Sequence, residues 1–505
     1  MHSIFNRPYN NKDTEYLNFE TVKTPRIDRM SQKIFLFFFI PDVLMGKEIG
    51  IEGEDFTQEV IMKKRQSFFF LCIAFFLLFL FNGCSKTETF DPKHPITLTM
   101  WHVYGEQVDS PMNRLIEEFN QTVGREKGIL INVTLMSNAS QIGDKLLKAQ
   151  ADEPGVPAMP DLFFCHNNNA KELGADTLLD WKQQFTEEEL NQYVPKFIED
   201  GLVGEKLSVF PVSKSTLVLY LAGSPFERFS AATGIDYDSL STWEGFFDAA
   251  EKYYVWSGGK PFCAIDYLLR CVELNAMENG ADNFYTKEGW YNFDNAQIKA
   301  SFMQFANALV KGHIVVSDLY SNTQVMTGEV IAGIGSTASI LYYNDTITYP
   351  DGQAEPMNLQ VLPTPKAAGK EPLATQAGVG LCALKTTEQK AEAATIFAKW
   401  LTESERNLQF CVETGYMPVN KEAFAKIKEY SFPSEAYQNL YRTIGVINAT
   451  ATTVREPLFI DYYAKVHTLY EALRKKQSSI PEKTQSDEDT KKMADELWEL
   501  FRAIQ

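Results

Sequence analysis

Leu98-Thr-Met-Trp-His-Val-Tyr-Gly-Glu106 is the stretch from which the rest of the chain can be read. It continues a β-like run, Ile96 to Met100, and ends in a polar, aromatic tip. Ser110-Pro111 then opens a helix, Ser as N-cap and Pro at the first helical position, where a missing N–H costs nothing. Met112, Leu115, Ile116 and Phe119 recur at helical spacing and give that helix one apolar face. A strand feeding a helix through a polar loop is how an open α/β sheet places a ligand, outside the carboxyl ends of its strands. Trp101, His102 and Tyr104 are therefore candidate contacts. Taken alone, they read at least as readily as two core aromatics and a satisfied loop histidine.

The alternation continues. Ile129–Met136 reads as a strand, Ser140–Ala151 as a helix with Ile142, Leu146 and Leu147 inside, and Asp161–Cys165 as a short buried strand. This β-α-β-α-β order predicts a parallel sheet with crossover helices. The third strand ends in a second polar tip, His166-Asn167-Asn168-Asn169, either a ligand cluster or a plain turn. Glu187–Glu199 reads as one helix. Leu207–Leu221 is a long β run broken at Pro211 and by Ser213-Lys214-Ser215, the pattern of a strand crossing between domains. Ser241 or Thr242 caps a further helix, with Tyr253, Tyr254, Trp256 and Tyr267 in or after it. Those aromatics suit either a core or platforms for sugar faces. Met326–Ile340 predicts a strand and a small-residue helix start, where bare N–H groups at Ser336-Thr337-Ala338 suit an oxyanion or hydroxyl oxygens. Glycine-mediated packing explains the same residues. Leu359–Leu362 and Gly378–Leu384 read as strands; Ile298–Val310, Glu388–Thr402 and Ser486–Ile504 read as helices.

The first part of the chain is not fold. Met62-Lys-Lys-Arg65, the apolar run Ser67–Phe81 and Gly83-Cys84 spell a lipoprotein signal, 62–84, with Cys84 as the lipidated residue. Residues 85–95 then serve as a tether. Residues 1–61 precede the signal, and the codons for Gln58-Glu59-Val60 can spell a ribosome-binding sequence just before Met62. Translation is accordingly expected to start at Met62, with 1–61 a misannotated upstream segment. The roughly four hundred residues after Cys84 suffice for two domains. A net charge of −18 argues against a nucleic-acid partner. Cys165, Cys263, Cys271, Cys382 and Cys411 lie in apolar surroundings and read as buried thiols, with a Cys263–Cys271 bridge as the alternative. CxxC, HExxH, P-loop and GxSxG motifs are absent, and nothing points to a metal, a cofactor or an enzyme.

Five motifs in order resemble family-one extracellular solute-binding proteins of ABC importers, the maltose and glycerol-3-phosphate type. They are Trp101-His102 to Glu106 with Leu115–Asn120, Phe210–Tyr220, Thr242-Trp243, Gly328–Ser336 and Thr414–Phe424. The resemblance runs from Ile96 to the end. It implies a two-lobed α/β fold, periplasmic-binding-protein-like of type II, with the ligand in the interlobe cleft. Lobe one would be 96–212 plus 381–428, and lobe two 213–380 plus 429–505. By the same resemblance, ligand contacts fall on His102, Tyr104, Glu106, Ser215, Ser336, Thr337, Gly378, Tyr416 and Arg455; Trp101, His166, Asn167, Asn168 and Trp256 join them from the residue reading. The implied protein is a monomeric lipoprotein on the extracytoplasmic face, delivering a sugar or oligosaccharide to permease subunits. Glycerol-3-phosphate or a glycerophosphodiester is the alternative ligand, and an exported glycosidase using paired carboxylates the alternative class.

Overall fold

Ser110 does cap a helix. Its side chain accepts from the Asn113 N–H, Pro111 occupies the first turn, and Met112, Leu115, Ile116 and Phe119 are the buried face. The computed structural model describes residues 90–104, 110–135, 139–287, 289–432, 434–459, 461–480 and 486–504. The expected signal, Cys84 and Glu106 lie outside them. Phe90, in the middle of the expected tether, is packed against the core.

The strands that position the site are, in chain order, β1 (Ile96–His102), β2 (Ile129–Leu135), β3 (Leu162–Cys165), β4 (Ser213–Lys214), β5 (Leu217–Leu221), β6 (Cys263–Ile265), β7 (Ile314–Val315), β8 (Ala332–Ser336), β9 (Gln360–Pro363), β10 (Leu373–Gln376), β11 (Gly380–Ala383), β12 (Met417–Pro418) and β13 (Thr452–Arg455). The helices used below are α1 (Pro111–Gln121), α2 (Ala139–Gln150), α3 (Asn167–Leu173), α4 (Trp243–Trp256), α5 (Ala296–Val310), α6 (Ser321–Met326), α7 (Glu388–Leu401), α8 (Ser404–Thr414), α9 (Glu435–Thr450), α10 (Tyr462–Ser478) and α11 (Asp487–Ala503).

Two sheets organise the fold. The first runs β11-β3-β1-β2, with β1 parallel to both β2 and β3 and β11 antiparallel to β3. The second runs β9-β5-β8-β6-β7, with β6, β7 and β8 parallel and β5 antiparallel to β8 and β9. Between them the chain passes through β4, which pairs with β12, and through Ser215, whose backbone pairs with Ala377 on the return. β10 and β13 form a short parallel pair beside this crossing. The C-terminal helices belong with the second sheet. Thr443 of α9 donates to the Val361 carbonyl (2.6 Å), and Leu497, Trp498 and Phe501 of α11 join Phe302 of α5 in the second core. Among the described residues no helix is long and apolar enough to cross a membrane.

Several expectations need correcting. Glu187–Glu199 is two short helices, Glu187–Leu190 and Pro195–Asp200, because Pro195 forces Val194 into extended backbone and restarts the chain. The His166–Asn169 tip is not a turn: His166 is the extended N-cap of α3, and the asparagines are its first residues. The small-residue start after β8 is a 3-10 helix, Thr337–Tyr342. Cys263 and Cys271 are separate buried thiols.

Candidate ligand cleft

Parallel strands send their chain ends to one edge of a sheet, and that edge is where the side chains with binding chemistry gather. In the first lobe β1 delivers His102 and Tyr104 and β3 delivers His166. In the second, β6 delivers Asp266 and Tyr267, Tyr320 follows β7, and β8 leads through Ser336 to Tyr342. The two edges face each other. A Cβ on Gly415, beside Tyr416, would come within 2.7 Å of the Thr337 carbonyl of the opposite lobe. The Tyr267 hydroxyl is raised in pKa by burial and by its neighbours Asp266, Tyr320, Tyr416 and Glu456, yet 41% of the residue is open to water. A side chain surrounded by protein but still wet lines a cleft and not an outer face. Tyr320 is 65% and Tyr342 48% exposed. Across from them Tyr416 meets Tyr104 edge-to-face, ring centres 6.2 Å apart.

The floor is the crossing itself. Gly378 holds φ +119°, a conformation other residues resist, beside the Ser213 carbonyl, which a Cβ there would meet at an ordinary contact distance of 3.5 Å. The Tyr104 hydroxyl, Ser213 Oγ, Thr337 Oγ1 and Asn168 Oδ1 are buried without hydrogen-bond partners. Buried polar atoms are normally paired, so these four beside the crossing can take hydroxyl or water partners, as can the other unpartnered atoms elsewhere in the fold.

Charge at the inner faces is already balanced. Lys214 Nζ lies 2.5 Å from Asp200 Oδ2, both nearly inaccessible. Arg455 donates to the carbonyls of Asp200 (2.8 Å) and Leu202 (3.0 Å), with Nε 3.4 Å from Asp200 Oδ1. Arg270 pairs with Glu273. Burial by itself would raise the Asp200 pKa, but Lys214 and Arg455 favour the charged form and together hold it below its ordinary value. Burial raises Glu456, which accepts from the Tyr463 hydroxyl at 2.5 Å, and holds Asp266 at about 6 although Ser321 donates to it twice. His166 is pushed down to about 4 by burial and by Lys214.

Of the residues expected to touch ligand, several are committed elsewhere. Trp101 is 3% exposed in a smaller cluster on its own face of the sheet, because its place on β1 points it beneath α2 with Ile142 and Leu146. His102 is fully buried; Nε2 bonds Asn113 Oδ1 (2.8 Å) and Nδ1 accepts the Tyr104 N–H (3.2 Å), so both ring nitrogens are engaged in shaping the tip. Asn167 donates to the Asp200 carbonyl at 2.7 Å. Ser336 Oγ caps the 3-10 helix. Trp256 ends α4, before β6 begins, and makes tilted ring contacts with Phe229 and Tyr253 on the side of the sheet where β6 starts. Ser215 contributes backbone pairing to the floor. Tyr104, His166, Asn168, Thr337, Gly378 and Tyr416 are brought together. Tyr320 and Tyr342 were not anticipated; they follow a two-residue strand and a 3-10 turn, and only reading the end of every apolar run would have found them. Among the described residues no His, Cys, Asp and Glu cluster is placed to hold a metal.

Comparison with known proteins agrees with this architecture. The family model for bacterial extracellular solute-binding proteins matches residues 114–440. No curated protein matches the chain. Among solved structures, the cyclic alpha-maltosyl-1,6-maltose binding protein of Arthrobacter globiformis superposes with a TM-score of 0.60 at 15% identity, covering 81% of this chain and 99% of that one. Maltose-bound T. maritima MalE3 gives 0.57 at 18% identity over 80% and 99%. Mycobacterium tuberculosis UgpB in complex with glycerophosphocholine gives 0.60 at 15% over 81% and 98%. The fold is the two-lobed α/β architecture of these proteins, type II among periplasmic binding proteins. With the family model matching more than half its length, the chain belongs to the bacterial extracellular solute-binding proteins.

Proposed function

We propose that the protein captures a neutral carbohydrate between its lobes and presents it to the permease subunits of an ABC importer. The observation that carries this is the ring of tyrosines, Tyr104 and Tyr416 facing Tyr267, Tyr320 and Tyr342, around unpaired buried hydroxyls and charges that already have partners. Aromatic faces suit the C–H faces of sugar rings, and unpaired polar groups suit their hydroxyls. Capture needs no bond chemistry: a solute that binds the closed lobes better than the open ones shifts the equilibrium toward closure. Proteins of the same fold include one solved with maltose and one with glycerophosphocholine. The second reading, a phosphorylated ligand, is disfavoured because Arg455 is spent on Asp200 and two carbonyls. The chain would act as a monomer held outside the membrane by a lipid on Cys84.

A thermal-shift panel of mono- and oligosaccharides, glycerol-3-phosphate and glycerophosphodiesters tests this. At a hundredfold excess over Kd a true ligand adds about 2.7 kcal/mol of stability. A shift with phosphate compounds alone would overturn the neutral reading, and a shift with peptides alone the carbohydrate reading. Release of a Cys84→Ala variant from membranes is the outcome expected of a lipid anchor.

A further inference from the structure

We propose that Cys165 and Cys382 are joined by a disulfide in the exported protein, covalently closing the first lobe's sheet beneath the cleft. The two residues lie 217 positions apart in sequence, on neighbouring antiparallel strands, β3 and β11. Register pairs Cys165 with Gly380 and Phe163 with Cys382, so the cysteines are diagonal neighbours on one face of the sheet. Their sulfurs are 3.6 Å apart, already in van der Waals contact. Both are free thiols in this structure, and closing to a bond of about 2.05 Å asks the two sulfurs to approach by roughly 1.5 Å. Both residues are fully buried in the cluster that holds Trp101, Ile142 and Phe163.

Location supplies the chemistry. Members of an extracellular family fold where thiols are not kept reduced, and structural disulfides persist there. Burial raises the Cys382 thiol well above its ordinary pKa, so the folded pair does not form the attacking thiolate. The bond must therefore form while β11 is docking, when both sulfurs are still wet. One cysteine, as thiolate, attacks the disulfide of a thiol-exchange donor, giving a mixed disulfide and one donor thiol. The second cysteine, giving up its proton, displaces the remaining donor sulfur. The protein gains one S–S bond, and the donor disulfide is reduced to two thiols. Once buried, the bond is out of reach of small reductants.

The other three cysteines offer no comparable pair. Cys263 donates to the Ala264 carbonyl at 3.4 Å, and Cys271 and Cys411 are buried thiols of their own. The bridge has a mechanical role. β3 ends at Cys165, one residue before His166, and β11 begins two residues after Gly378, so the bond ties the strand that leads to the cleft to the strand on which the chain returns from the crossing.

The test is non-reducing peptide mapping of full-length protein recovered from the exported fraction, alkylated in denaturant before tryptic digestion. Cys165 falls in the peptide Ala149–Lys171 and Cys382 in Glu371–Lys385, each with a single cysteine. The expected result is one joined species, two hydrogens lighter than the sum, that separates on reduction. Recovery of both peptides only in alkylated form overturns the proposal, as does either cysteine linked instead to Cys263, Cys271 or Cys411. A second reading needs no mutant: melting of the exported protein should drop by several degrees when reductant is present during unfolding, whereas protein made in a reducing cytosol should melt the same with and without it.

Discussion

Tyr267 and Arg455 stand a short distance apart in the fold and divide the ligand question between them. Tyr267 is wet, desolvated at its hydroxyl end and opposite Tyr416; Arg455 is tied down by Asp200 and Leu202. Tyr267→Ala or Tyr416→Ala should weaken binding of the identified saccharide about tenfold, roughly 1.4 kcal/mol. Arg455→Ala should leave affinity within a fewfold and lower stability instead. Calorimetric titration of the three variants checks this, and an Arg455→Ala variant that alone loses binding would restore the phosphate reading. At the same scale, His102 and His166 are both held near pKa 4 by burial, against about 6.5 for an exposed histidine. The unfolded chain therefore binds protons first. Each histidine's contribution is complete above pH 6.5 and lost as pH falls from there toward 4, about 3 kcal/mol apiece. Asp266, held at about 6, works in the opposite sense by favouring the folded state on acidification. The clean measurement is thus a difference: melting points of wild type and His102→Gln between pH 7 and 4.5 should converge as pH falls.

Two elements join the lobes without any ligand. β4 carries Lys214 into a buried pair with Asp200. Asp200→Ala should cost about 3–5 kcal/mol in denaturant titration, because it strands the ammonium of Lys214 in a dry site. Helix α3 grips the segment after β13 along its length: Asn168 donates to the Pro457 carbonyl (2.8 Å), Lys171 to that of Leu458 (2.6 Å), and Glu172 accepts the Asp461 N–H (3.0 Å). Asp461 takes φ +58° to do so, an unusual backbone for a residue other than glycine. These bonds favour closed lobes. An Asn168→Ala, Lys171→Ala double variant should bind its sugar about five- to tenfold more weakly, at about 0.5–1 kcal/mol per lost bond. Its unliganded form should show a larger radius of gyration in solution scattering. Unchanged affinity and size would mean that the contact is incidental to closure.

For the whole molecule the consequence is a hinge with little freedom. The chain crosses at Ser213–Thr216 and again at Gln376–Gly380, with the backbones of Ser215 and Ala377 paired between the two passes. Rotation about such a bundle closes the two tyrosine-bearing edges on each other. Saturating sugar should therefore lower the radius of gyration without changing secondary-structure content by circular dichroism. A ligand that raises the melting point but leaves the size unchanged would show that capture does not need closure.

Local physics made much of this legible in advance. The cap at Ser110, the apolar face of α1, the strand at Ile96 and the broken run at Ser213-Lys214-Ser215 each depend on neighbours within a few residues, and the motif order carried the fold. The site was less legible, since residue type does not say which way a side chain faces. Trp101 and His102 lie in the most informative stretch of sequence, yet both are buried as supports, because alternation along β1 and the covering helix decide their direction. Tyr320 and Tyr342 carry no local signal and become site residues only because three parallel strands end side by side. Likewise, the pairings of Arg455 with Asp200 and of Cys165 with Cys382 join residues more than two hundred positions apart. Contacts of that range are set by how the sheets assemble, and only the tertiary structure brings them together.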